Sequence, residues 1–264
     1  MKIKLALATL VATLVLGGVC YAQTEADARK IIEASKDAVV TVDIVIEAKM
    51  TYNGKTEKQE DKHTTTATVI DSSGLVVTSL TQVSPDAGND PQDKADGYSY
   101  SIDTKDVRIR TADGTEIPAD IVLRDQDLDL AFIKPKTKPE KPMAFIDLAA
   151  SGAAQVLDQI VVVSRLGQAA NRSTAARLDR VESVVTKPRT FYIVNSSLHD
   201  ELGVPAFTMD GKCIGVLVLR YMSGSHSDDS DYYASVIPCS TIANAAQQAK
   251  DAKGPAKPVA APAK

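Results

Sequence analysis

The stretch HDELGVPAFTMDGKCIGVLVL, residues 199–219, joins a loop with ionisable side chains to a run of strong β-formers. Gly203 and Pro205 bend the chain just before the first apolar residues, and Asp210-Gly211 is a turn signal before the next run. Loops held at the ends of buried strands often carry catalytic or binding residues. The stretch therefore predicts a pair of buried strands and raises the question of whether the loop is catalytic.

Runs of β-formers lie on both sides of a proline-rich segment. Before it they include AVVTVDIVIEAKMTY (38–52) and LDLAFIK (128–134), and after it DQIVVVSRLG (158–167) and DYYASVIP (231–238). The segment itself, PKTKPEKP (135–142), has no periodic pattern and is typical of an extended linker. We therefore predict an all-β chain with two small antiparallel barrels or sandwiches, at about residues 37–135 and 144–240.

The two ends of the chain differ from this β-rich body. Residues 1–22 place two lysines before an apolar run of about 15 residues and end on small residues, which is the pattern of a cleaved signal peptide. The run is shorter than the roughly 20 residues of a membrane-spanning helix. We therefore expect an exported protein, periplasmic or extracellular, with no integral membrane segment after cleavage.

Helical and low-complexity patterns flank the β-rich body. TEADARKIIEASKDA (24–38) has apolar residues at helical spacing, and CSTIANAAQQAK (239–250) predicts a closing helix. The tail, residues 251–264, is rich in Ala, Pro and Lys, and this composition predicts a mobile, extended segment.

The charge balance argues against one class of partner. Residues 1–22 contribute two lysines and no acidic residue, so the rest of the chain has 28 basic and 34 acidic residues and a net charge of −6. An acidic body without a basic stripe is unsuited to nucleic acid.

No metal or cofactor site is predicted. Asp125, Asp127 and Asp129 resemble the opening of a calcium loop, but Leu130 stands where the loop needs Gly and Lys136 where it needs Glu. No spacing of Cys and His supports zinc. We expect no bound metal and no cofactor.

Cys213 and Cys239 are the cysteines left after signal cleavage. In an oxidising compartment they could form one disulfide, and two buried free thiols agree equally well with the sequence. Both states stay open at this stage.

The order of the β-rich segments resembles that of the trypsin-fold serine proteases, and within them the HtrA-like group. The segments that carry the resemblance are AVVTV (38–42), TVIDSSGLVVTSLTQV (68–83), ADGTEIPADIVLRDQDLDLAFIK (112–134), LGVPAFTMDGKCIGVLVL (202–219) and YYASVIP (232–238). The resemblance covers roughly residues 28–248 and implies a protease-like domain over residues 23–250. It also implies two six-stranded barrels with the active site in the cleft between them, and no segment remains for the PDZ module of many HtrA-like proteins.

The motifs of this family also imply that two triad members are substituted. The family histidine follows a G-x-x-V-T strand, and in GLVVTSLTQV (74–83) that position falls on Thr81. The family aspartate lies in a D-L-A sequence, which supplies Asp129. The serine of the family loop G-N-S-G-G-P-L falls on Leu202 in DELGVPA (200–206). An aliphatic side chain is no nucleophile and a hydroxyl is no useful base, so the resemblance implies an inactive protease.

Two hypotheses of function follow from these substitutions. The first is a protease homologue that binds a protein or peptide partner, with Asp200, Glu201 and Gly203 as candidate binding residues. Glu201 would also repel a developing negative charge in an oxyanion hole. Without an imidazole to orient, Asp129 is expected to accept hydrogen bonds from backbone amides at a strand end.

The second hypothesis is an active serine endopeptidase with a non-standard site. It would pair Ser196 or Ser197 with His199 and Asp200. Neighbouring side chains on an extended segment point apart, which argues against that arrangement. Each of the three histidines, His63, His199 and His226, has the sequence context of an ordinary surface residue.

Overall fold

The computed structural model describes residues 24–83, 98–195, 201–221 and 232–256. Within these ranges the chain forms two closed antiparallel barrels of six strands each. The predicted all-β double barrel is confirmed. The expected signal peptide, residues 1–22, lies outside the described ranges, and within them no helix combines the length and hydrophobicity needed to cross a bilayer.

The first barrel has the strand order β1-β2-β3-β6-β5-β4. Its strands are β1 (Val39–Tyr52), β2 (Lys55–Val69), β3 (Val76–Ser79), β4 (Tyr98–Arg110), β5 (Glu116–Asp125) and β6 (Leu130–Pro135). Alternate β-branched residues of β1, such as Val40, Val42 and Ile44, point into the barrel and are fully buried or nearly so.

The second barrel has the strand order β10-β11-β12-β9-β8-β7. Its strands are β7 (Gln159–Arg165), β8 (Thr174–Val185), β9 (Phe191–Val194), β10 (Pro205–Thr208), β11 (Cys213–Tyr221) and β12 (Tyr232–Pro238). The helices are α1 (24–35), α2 (Leu80–Val83) and α3 (Cys239–Asp251). Both predicted terminal helices are therefore present.

Apolar side chains form three clusters, one inside each barrel and one between them. The cluster between the barrels contains residues from α1 and α3 as well as from strands of both barrels, among them Val77, Phe132, Val161 and Val216. This third cluster packs the two barrels against each other.

Arg165 ties the second barrel to the start of the first. Its guanidinium donates to the carbonyl oxygens of Val39 (2.8 Å), Lys36 (2.7 Å) and Arg172 (3.0 Å). The side chain is buried, so its donors must be satisfied within the protein. The three backbone carbonyl oxygens accept these hydrogen bonds, and no carboxylate is among the acceptors.

β2 is longer than the sequence pattern indicates. The pattern predicts a strand from His63, whereas β2 begins at Lys55 and pairs with β1 out to Tyr52. Residues 55–62 are all exposed, so they show no apolar alternation. Residues 55–62 pair with β1 through backbone hydrogen bonds, and the residue types of this segment do not predict such pairing.

The beginning of the tail is docked on the first barrel. The Ala256 N–H donates to Ile121 O (2.7 Å), and Arg124 donates to Ala256 O (2.8 Å). Lys134 donates to Lys250 O (2.8 Å) at the end of α3. These contacts place Ala256 against β5, and the mobility of the tail stays a prediction.

Cys213 and Cys239 are free, buried thiols in this structure. The Cys239 thiol donates to Cys213 O (3.3 Å), and hydrogen bonding to the Cys239 side chain, together with burial, raises the pKa of the Cys213 thiol. Of the two states that the sequence leaves open, the structure has the thiol pair.

Candidate functional site

Asp129 lies at the junction of the two barrels and accepts hydrogen bonds from both. One carboxylate oxygen accepts from the backbone N–H and the hydroxyl of Thr81, each at 2.8 Å. The other accepts from the Ser79 hydroxyl and from the Leu219 N–H of β11 (3.1 Å). The expectation that Asp129 accepts bonds from backbone amides is confirmed.

These four donors occupy all the lone-pair sites that a carboxylate offers. Burial raises the pKa of Asp129, and the hydrogen bonds from Ser79 and Thr81 act in the opposite direction. A buried carboxylate is tolerated only when it is well supplied with donors, and Asp129 meets that condition. Its oxygens are fully engaged with this chain, so none is left to orient a base or to accept a substrate proton.

The Thr81 hydroxyl provides one of these bonds at an exposed position. A threonine at this site therefore completes the hydrogen bonding of Asp129, but it has no proton acceptor with a pKa near neutrality. The structure thus brings Thr81 and Asp129 into direct contact, as the resemblance to the protease family implies for these two positions.

Gly203 brings the loop of the second barrel against the first. Its N–H donates to Leu217 O (2.7 Å), and its carbonyl accepts from the Thr68 hydroxyl of β2 (2.8 Å). Gly203 has φ +81°, and a Cβ there would lie closer than 3.0 Å to the Thr78 hydroxyl and to Thr66 O. Glycine is required because both the backbone angle and the close approach exclude a side chain.

β11 places this loop beside Asp129. Leu217 O holds Gly203, and two residues further along the strand the Leu219 N–H holds Asp129. Two residues of a strand span about 7 Å, so the loop and the carboxylate lie close together where the barrels meet. Leu202, next to Gly203, is 3% exposed, so an aliphatic side chain is buried where the resemblance places the nucleophile.

Glu201 belongs to a half-buried ion-pair cluster. It pairs with Arg177 of β8, which also lies 3.4 Å from an oxygen of Asp179. Arg177 and Glu201 have side chains 24% and 27% exposed, so the pair is only partly screened by water. The candidate binding residue Glu201 is therefore already engaged, and a ligand would have to compete with Arg177 for it.

The alternative catalytic groups fall into two sets. Among the residues with described positions, Ser79 is buried and bonded to Asp129, and the His63 ring bonds Gln82 O (2.7 Å) and not a serine. The others, Asp200, Ser196, Ser197, His199 and His226, lie outside the described ranges. Within those ranges no three His, Cys, Asp or Glu side chains converge as a metal site.

Sequence reasoning missed four contributors to the site: Ser79, Leu219, Arg177 and Asp179. The signal for Ser79 was available, since it is two residues from Thr81 in VVTSLT and follows the same strand. Leu219 acts through its backbone, Arg177 of β8 pairs with Glu201 in the loop before β10, and Asp179 pairs with Arg177, so no local pattern could reveal them.

A family model described as a trypsin-like peptidase domain matches residues 65–216, which is more than half of the chain. The matched range contains Thr81, Asp129 and Leu202. No curated protein matches the chain.

Proposed function

This chain belongs to the trypsin-like peptidase domain family, and from that premise we propose that it is an exported, HtrA-like member without peptidase activity that binds a protein or peptide in the cell envelope. The observation that carries the proposal is the saturation of Asp129 by hydroxyl and backbone donors, with Thr81 in contact with it.

Loss of activity follows from the chemistry of the two substituted positions. Losing one member of a working triad typically costs roughly four to six orders of magnitude in rate. Here the position assigned to the base holds a hydroxyl and the position assigned to the nucleophile holds a buried leucine. No hydrolytic route passes through this geometry.

Retention of binding is supported by the integrity of the scaffold. The interbarrel cluster, the Arg165 contacts and the Gly203 packing hold two closed barrels against each other, which is the arrangement that forms a peptide-binding cleft in the family that the chain resembles. Such a cleft can hold an extended peptide by edge-strand pairing without doing chemistry on it. A protein or peptide segment is therefore the class of partner that we assign.

A fluorophosphonate probe tests the absence of activity. We expect no covalent labelling of the mature protein, before or after heat denaturation, because no serine is activated. A Thr81→His, Leu202→Ser double variant is the matched control, since it restores both residue types at the proposed positions. Labelling of the unmodified chain that disappears on heating would instead establish an active peptidase with a non-standard site.

Selection of peptides by phage display, followed by hydrogen exchange, tests the binding role. Selected peptides should slow amide exchange at residues 79–81, 201–203 and 217–219, the segments that surround Asp129. Protection confined to other surfaces would refute the cleft as the binding site.

Mass analysis of the periplasmic form should show a chain that begins at residue 23, and an intact residue 1 would refute export by signal cleavage.

A further inference from the structure

A second cleft lies between β4 and β5 of the first barrel, where the two strands separate. They pair only through Arg108–Arg110 with Glu116–Pro118. Before that point β4 stays with β1, and after it β5 stays with β6. Among the described residues, no strand pairs with the outer edge of β4 over residues 103–107, so two strand edges face each other across a gap.

The gap contains a cavity of about 250 Å³. Its walls come from residues 103–107 of β4 and 119–121 of β5, and one wall is formed by Pro255 and Ala256. Arg124 reaches across the gap, because it donates both to Ala256 O (2.8 Å) and to the Thr104 hydroxyl (3.4 Å). The last described residue of the chain thus stands inside a gap bounded by open strand edges.

Ala256 already makes a strand-like contact there. Its N–H donates to Ile121 O (2.7 Å), next to the irregularity between Ile121 and Leu123 in the pairing of β5 with β6. The chain continues for eight residues, KPVAAPAK (257–264). Extended, eight residues reach up to about 26–29 Å, which exceeds the roughly 17 Å of five strand residues.

The parity of the prolines fits a strand that pairs with the edge of β4. Backbone N–H groups of a strand alternate between its two sides, so a strand continuing from Ala256, whose N–H donates to β5, would have its even-numbered residues on the β5 side. Pro258 and Pro262 are both even-numbered. The odd-numbered residues 257, 259, 261 and 263 keep their N–H groups and have the parity that faces β4.

We propose that the β4–β5 cleft is a strand-acceptor site whose occupant is the chain's own C-terminal segment, residues 257–264. The segment completes the edge of β4 with backbone hydrogen bonds and keeps that edge closed to other strands. This inference concerns a different surface from the Asp129 cleft and does not depend on the proposed function.

A fluorescein-labelled peptide of residues 254–264 provides the test, with binding measured by anisotropy. A chain that ends at Lys253 should bind the peptide saturably. The full chain should bind it at least about tenfold more weakly, because the tethered segment has an effective concentration in the millimolar range. Circular dichroism of both chains checks that the truncation leaves the barrels folded.

Two peptides of identical composition test the parity. Ala261→Pro removes an N–H that faces β4 and should weaken binding about tenfold or more, since one backbone bond is lost and its acceptor is left unpaired. Ala260→Pro alters the opposite side and should bind within about twofold of the parent peptide. Equal binding of the two variants, or no binding of the parent peptide to the truncated chain, would overturn the proposal.

The oligomeric state separates the chain's own segment from that of a second copy. Gel filtration of the full chain should give a monomer. A full-length dimer that the Lys253 truncation converts to a monomer would show that the segment is exchanged between copies, and would overturn the assignment to the same chain.

Discussion

Replacing Gly203 by alanine should destabilise the protein far more than the same change at Gly211. The two glycines have nearly equal φ angles, +81° and +84°, so an alanine at either position experiences the same backbone strain. That strain is about 1–2 kcal/mol. Gly211 is a matched control because a Cβ there would meet nothing closer than Ile31 at 3.8 Å.

The additional cost at Gly203 comes from its packing against the first barrel. A Cβ would meet the Thr78 hydroxyl and Thr66 O at less than 3.0 Å, a distance that real Cβ atoms essentially never show. Overpacking of this kind costs about 1–3 kcal/mol, and displacing the loop would also weaken the bond from Thr68 to Gly203 O, worth about 1 kcal/mol. We therefore expect about 3–6 kcal/mol for Gly203→Ala and about 1–2 kcal/mol for Gly211→Ala.

Urea unfolding followed by far-UV circular dichroism measures both values, since the chain has no tryptophan for fluorescence. The m-values should be unchanged, so that the difference appears in the midpoints. Equal losses for the two variants, within about 0.5 kcal/mol, would refute the argument that Gly203 is required by contact between the barrels.

Three further changes test the electrostatic and hydrogen-bonding arguments. Asp129→Asn should lower the free energy of unfolding by about 2–4 kcal/mol, because the amide keeps one acceptor oxygen and turns an NH₂ toward two of the four donors. An unchanged urea midpoint would contradict this. Hydrogen bonds from Lys250 and from Ser73 lower the pKa of Asp71 to about 2, so these contacts should stabilise the protein above about pH 4, and their contribution should be lost as the pH falls toward 2. The free energy of unfolding should fall by about 1 kcal/mol over this pH range, after allowing for solvent screening of the Lys250 side chain, which is 45% exposed. In urea titrations, Asp71→Asn should abolish this part of the pH dependence. Arg165→Met should cost about 3–5 kcal/mol, because one buried and two part-buried carbonyl groups lose their donor. Arg180→Met, at an exposed residue with one bond of 3.2 Å, should cost under about 0.5 kcal/mol, and thermal melting measures both values.

The strands that could be predicted are those that bury one face. β1, β6 and β11 show apolar runs or alternation that follow directly from burial. The outer half of β2 could not be predicted, because its residues are exposed on both faces and its pairing is made by backbone groups. The docked residues of the tail were missed for the same reason.

The candidate site divides in the same way. Motif spacing brought Thr81, Asp129 and Leu202 to attention, because each follows or precedes a recognisable strand or turn. The hydrogen bonds that saturate Asp129 could not be read from it, since Leu219 is 90 residues away along the chain and donates through its backbone.

The amino-acid sequence by itself predicted two small antiparallel barrels or sandwiches and the residue types at the candidate site, because burial patterns and side-chain chemistry are local properties, and the resemblance to trypsin-fold proteases implied barrels. Only the tertiary structure decided what those residues contact: that Asp129 accepts four hydrogen bonds, that Glu201 is held by Arg177, and that Ala256 lies in the β4–β5 cleft. These outcomes depend on backbone groups and on partners distant in the chain, which come together only when the barrels close.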